Sequence, residues 1–148
     1  MAQTLRSELG IAKSALLLIA DSRLRDFDAL WKAGHFHTAV YMAGYAVEEY
    51  LKFAICKTLN HAQLPKIFEY HHLESLLFYS GYDGELRDDL NVFHSFVEIR
   101  DVWDVEMRYE DPTSPKHAKF NLPLCTDVDR FSNDATIGVV PWFRSKLL

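Results

Sequence analysis

Cysteine is scarce in this chain, with Cys56 and Cys125 the only two among 148 residues. Two thiols in a chain of this size do not make a disulfide scaffold, so both are expected to be buried and reduced in a cytoplasmic protein, with Cys125 in a late loop. Long apolar runs are missing as well. No stretch approaches the ~18–20 residues of a membrane span, and the opening Met-Ala-Gln-Thr-Leu-Arg lacks the charged-then-apolar pattern of a signal peptide. There is no alternating strand pattern, no internal repeat and no low-complexity tract. Runs of Lys and Arg are absent too, which excludes the usual way of gripping nucleic acid, neutralisation of many phosphates at once.

What the chain has is ordinary for a globular protein: 49% apolar and 25% charged residues, with a net charge of −5. At this length a single domain over residues 1–148 buries roughly 68–70% of the surface of its unfolded chain. The charge is uneven. Residues 81–111 carry ten acids against three bases, while the remainder has eleven acids against thirteen bases. That acidic stretch reads as a solvated face, and RNA contact would require a local basic patch assembled by folding or across a dimer.

Apolar spacing is helical nearly throughout. The spacing predicts helices over about 3–33 (with Gly10 a possible break and Gly34 the stop), 36–60, 71–80 (ended by Gly81), 83–108, and from an N-cap at Thr126 to about 147. Leu64-Pro65 interrupts the second and third, and Pro141 is expected to kink or split the last. The expected fold is all-α, an up-and-down bundle of about five helices. Residues 35–57 stand out as apolar almost all round, so they are expected to form its central helix. Ala39, Ala43, Gly44 and Ala46 leave room there for another backbone. Within this helix Glu48 and Lys52 are four apart, in the favourable order for an ion pair. Burial requires them to be paired, in a network expected to extend to Arg108 or Tyr109, or to line a pocket for a nucleotide or RNA end.

Ala43-Gly44-Tyr45-Ala46-Val47-Glu48 with Leu51-Lys52 resembles the second-helix signature of the HEPN family, a group of helical nucleotide-binding domains. A His-Leu step at His72-Leu73 and a Trp…Arg-Tyr element at Trp103 and Arg108-Tyr109 resemble two further family features. The resemblance implies a short helical bundle, frequent homodimerisation, and nucleotide or RNA binding. It also implies a partner protein from the same operon in a defence or toxin–antitoxin-type system. Catalytic members resemble metal-independent RNases carrying Arg, four to six residues, then His at a dimer cleft. After Arg100 those positions are Val105, Glu106 and Met107, so the histidine is missing.

Arg87 and His94 are the fallback catalytic pair. On one continuous helix, residues seven apart share a face about 10 Å apart along the axis, and a phosphate could bridge them. Arg100 and Arg108 with a loop histidine such as His117 is a further arrangement. His35, His37, His71 and His72 do not match zinc-site spacing, and no metal or cofactor is expected. Tyr41 and Tyr45 share a face suited to base stacking or to core packing. The expected function is a non-catalytic or weakly active nucleotide-, RNA- or protein-binding module. Its alternatives are an RNase and a purely structural dimerisation domain.

Overall fold

Helix formation follows the apolar phase of the sequence, and the all-α class is what the computed structural model shows over the described residues 9–148. Helix α1 (Lys13–Lys32) ends before Gly34, which takes the left-handed φ of 88° that favours glycine. Helix α2 (Phe36–Leu59) is central and packs against α1 over the widest surface of any pair. Every residue from Ala46 to Cys56 is buried, so this segment is enclosed on all faces. Asn60, at φ 54°, closes it.

The connection that follows is not wholly irregular. Gln63–Pro65 (β2) pairs antiparallel with Leu9–Ala12 (β1), with Leu9 opposite Pro65 and Ala12 opposite Gln63. This ribbon departs from the strand-free expectation because a three-residue strand is too short to show alternation. Residues 9–12 are extended for the same pairing, so the first helical stretch breaks around Gly10 and its helix begins at Lys13. The expected helix residues 3–8 lie outside the described residues.

Helix α3 (Leu73–Ser80) ends at Gly81 as expected, at φ 85°. The single helix expected over 83–108 is divided. Helix α4 (Asp83–Asp88) stops at Asp89, and α5 (Leu90–Val102) begins immediately after. Carboxylates at Asp88 and Asp89 oppose the C-terminal dipole of α4 but favour the N-terminus of α5. At the far end Trp103 is extended, and a 3-10 turn at Val105–Tyr109 follows.

Helix α6 (Leu122–Asn133) starts four residues before the expected Thr126 cap. Asn121 caps it by accepting from the Leu124 N–H at 2.9 Å, and Pro123 sits in the first turn, where no N–H is needed. Cys125 is therefore helical, not in a loop; both cysteines are buried and free. Helix α7 (Val139–Leu147) is separate. The break falls at 134–138, where the Asp134 carboxylate accepts from the N–H groups of Thr136 and Ile137. Pro141 lies harmlessly in the first turn of α7.

The core gathers Leu16 and Phe27 of α1, Tyr50 of α2, Phe96 of α5 and Phe143 of α7, all fully buried. Asp21 ties α1 to both α2 and α7. It accepts from the Tyr50 hydroxyl at 2.7 Å and from the Arg144 guanidinium at 2.5 Å, and Tyr50 also stacks on Phe143. Among the described residues no helix is long and apolar enough to cross a membrane.

Candidate functional site

The small residues of α2 receive Trp103. Its ring occupies the space a Cβ on Gly44 would need, and its indole N–H donates to the Tyr41 carbonyl at 2.9 Å. Tyr45 then meets the edges of Trp103, Tyr41 and His71, with centroids 5.6, 4.9 and 6.0 Å away. Burial, followed by a hydrogen bond with Tyr41, pushes the Tyr45 phenol far above its ordinary value.

One turn further along α2 lies a buried polar network. Glu48 is fully buried; it accepts from Lys52 at 3.2 Å and pairs with His71 Nδ1 at 2.7 Å. The extension expected to Arg108 or Tyr109 is not made: neither residue hydrogen-bonds to Glu48, and the network closes on His71 instead. Neighbouring Glu49 is also buried. Burial and then the negative charge of Glu48 push its carboxyl up to about 7, against the pull of Lys52.

Beside this network, the start of α2 and the segment after Trp103 form a cleft of about 580 Å³. His35, His37 and Tyr41 line one wall and Arg108, Glu110 and His117 the other. His37 Nε2 lies 3.2 Å from a Glu110 carboxylate oxygen. The same ring stacks on His117 at 4.0 Å and meets the edge of Phe120 at 4.5 Å. Burial, then the charge of His117, lower the His37 pKa despite Glu110. Arg108 stacks over Tyr109 at 4.7 Å and lies beside the Tyr41 and Tyr45 phenols. Among the described residues Arg108 is the one Lys or Arg side chain lining this cleft, and Glu110 lines it too; Lys119 lies over the Phe120 ring at 5.0 Å.

Arg87 and His94 are not on one helix, because Asp89 ends α4 between them. The single-face geometry expected of the pair is corrected accordingly. Arg87 is engaged by Asp83 at 2.7 Å and by Glu74, and its guanidinium covers Phe93. His94 is 63% exposed, 3.8 Å from Glu98, with its ring edge-on to Phe131. Arg100 donates to Glu74 at 2.6 Å and to Asp101. Burial opposes ionisation of Glu74, but hydrogen bonds from Arg100 and Arg87 outweigh it and hold the carboxyl below its usual range.

The four histidines considered together as ligands are also dispersed. His71 serves Glu48, and His72 caps α3 by accepting from the Ser75 N–H. The grouping the sequence reading missed is His37, Glu110 and His117, whose ligand atoms all lie within 4.8 Å of one another. His37 and Glu110 are 73 residues apart, and no local spacing announces such a meeting. Comparison with known proteins gives no match, whether to a family model, a curated protein or a solved structure.

Proposed function

We propose that this chain is an HEPN-like helical module that binds a nucleotide or a short RNA segment in the cleft between the start of α2 and the 103–120 segment, with little or no cleavage of its own. One observation carries the reading. Two of the separated places that resemble the family meet in space, Trp103 against Gly44 and Arg108 beside Tyr41 and Tyr45, and at the third it is His71, the residue before His72-Leu73, that pairs with Glu48. Arg108 supplies a charge for a phosphate oxygen, and the Tyr41 ring in the same cleft supplies a stacking surface. Nucleoside mono- to triphosphates and short single-stranded RNA are the probes, with binding followed by calorimetry and fluorescence anisotropy. Saturable binding that weakens with salt and is lost in Arg108→Ala supports the reading. Absence of binding in the intact chain overturns it.

A second reading, the metal-independent RNase, is favoured by the presence of Arg108, His37 and His117 in one cleft. A neutral imidazole there would take the proton of a ribose 2′-hydroxyl while Arg108 stabilised the charge developing on phosphorus. Cleavage of single-stranded RNA that is abolished by His117→Ala selects this reading. Cleavage that survives His117→Ala but is lost in Arg87→Ala and His94→Ala selects the other arginine–histidine pair.

The module is also proposed to pair with a second copy or with a partner from the same operon, in keeping with a defence or toxin–antitoxin role. Ile67, Phe78 and Tyr79 offer an exposed apolar surface for this, at 78%, 67% and 52% exposure. Light scattering on the purified chain measures the homodimer directly. A cytoplasmic location belongs to the same proposal.

A further inference from the structure

The meeting of His37, Glu110 and His117 has chemical content apart from nucleotide binding. Two imidazoles and one carboxylate form the donor set found in three-ligand zinc sites that keep a position open. A tetrahedral ion with metal–ligand bonds near 2.0–2.1 Å holds its donor atoms about 3.3 Å apart. His37 Nε2 and the Glu110 oxygen are already 3.2 Å apart. All three ligand atoms lie within 4.8 Å of one another, so closure asks for a donor movement of no more than roughly 1.5 Å to reach tetrahedral spacing. The His37 and His117 rings must also rotate out of their stacked arrangement, since their in-plane lone pairs must converge on the ion.

The setting suits an ion too. Two stacked imidazoles would repel one another if both were protonated, and one carboxylate can neutralise only one of them. A dication accepts the lone pairs of both neutral rings and the negative charge of Glu110 together. His37 is held on α2 by the surrounding helix, with its side chain 14% exposed. Glu110 and His117 belong to a segment of turns, the second of them in the 3-10 turn Pro115–Lys119. An ion there would clasp this segment to the central helix.

We propose that His37, Glu110 and His117 bind one divalent transition-metal cation of the zinc class, with a coordination position left open toward the cleft. Mixed imidazole and carboxylate ligation favours zinc, cobalt or nickel over magnesium or calcium, which prefer all-oxygen shells. Because the ligands must be deprotonated, affinity falls as pH drops through the histidine range. The proposal stands independently of nucleotide binding.

The test uses the full chain, freed of any purification tag and dialysed against chelator, with no nucleotide present. Calorimetric titration with Zn²⁺ is expected to show one equivalent per chain. Titration with Co²⁺ is expected to give the visible absorption bands of a four- or five-coordinate site. His117→Ala and Glu110→Gln are each expected to weaken Zn²⁺ binding at least tenfold, which is about 1.4 kcal/mol. His72→Ala, which removes only the α3 cap, is expected to leave it unchanged. Helix content by circular dichroism verifies that the variants are folded. Failure of the intact chain to take up Zn²⁺ saturably overturns the proposal, as does stoichiometric binding that persists in both His117→Ala and Glu110→Gln. Either result leaves the nucleotide reading where its own probes put it.

Discussion

The indole of Trp103 stands where the side chain of residue 44 would otherwise be. It is fastened there by its hydrogen bond to the carbonyl of Tyr41. Glycine is required at this point for space: residue 44 sits mid-helix, where alanine would be the better helix former. Gly44→Ala is therefore expected to lower stability by about 1–3 kcal/mol, the usual range for overpacking a filled site. Chemical denaturation monitored by tryptophan fluorescence measures this, and an unchanged or raised midpoint contradicts the packing described.

Glu48 and Lys52 make a second prediction. Removing one partner of a buried pair strands the other, at about 3–5 kcal/mol, whereas replacing both with apolar residues of similar size is often close to neutral. Lys52→Met leaves Glu48 with His71 alone and should thus be destabilising, toward the lower end of that range, and Glu48→Leu added to it should recover part of the loss. The recovery is expected to be incomplete because His71 also loses its carboxylate. A double-mutant cycle from urea midpoints yields the coupling.

Glu49 gives a pH dependence of definite sign. Its folded pKa of about 7 lies above the ordinary glutamate value of 4.5. Between those two values the folded state holds a proton that the unfolded state has released, so this group's contribution to stability falls as pH rises from 4.5 to 7 and stays low above that. Glu49→Gln is expected to stabilise the protein at pH 8, by on the order of 1 kcal/mol or more, and to gain little near pH 4.5. Thermal melts of the two proteins across that interval show whether the difference grows with pH.

Glu74 acts in the opposite direction. Its carboxyl is held low between Arg87 and Arg100, so its stabilising contribution is present above the ordinary glutamate pKa and is lost as pH falls through the lowered folded value. The side chains are a third or more exposed, and Glu74→Gln should cost no more than about 1 kcal/mol at neutral pH. The loss should shrink on acidification, as denaturation midpoints at low pH would record.

Arg108 should behave as a binding residue and not as a structural one. It lies on the open wall of the cleft and is exposed. Arg108→Ala is expected to shift stability by no more than about 0.5 kcal/mol, as for surface substitutions generally. Nucleotide affinity should fall at least tenfold, about 1.4 kcal/mol. A melting curve and a binding isotherm on the same preparation distinguish the two effects.

Much of the fold is legible in the sequence because local rules govern it. The apolar run with small residues announces α2, and Gly34 and Gly81 mark helix ends through their left-handed φ. Glu48 and Lys52 are readable as a pair from their spacing. The break at Asp89 was hidden because Leu86, Leu90, Phe93 and Phe96 keep an uninterrupted helical phase across it. The β1–β2 ribbon leaves no periodic trace. The cleft is less legible still, since His37 meets Glu110 and His117 only after α5, the extended Trp103 and two short turns have brought the later segment back to α2. Side-chain identity could nominate Arg108 and His117 separately, but their common wall depends on tertiary packing.

Asp21 carries a consequence for the order in which the chain matures. During synthesis α1 and α2 emerge long before α7, and the two can pair as a helical hairpin while the rest is still being made. Until Arg144 arrives, Asp21 has the Tyr50 hydroxyl but lacks its cation, and the aromatic face of Tyr50 lacks Phe143. α7 thus completes contacts that the α1–α2 pair cannot make alone, the cation for Asp21 and the stacking partner for Tyr50.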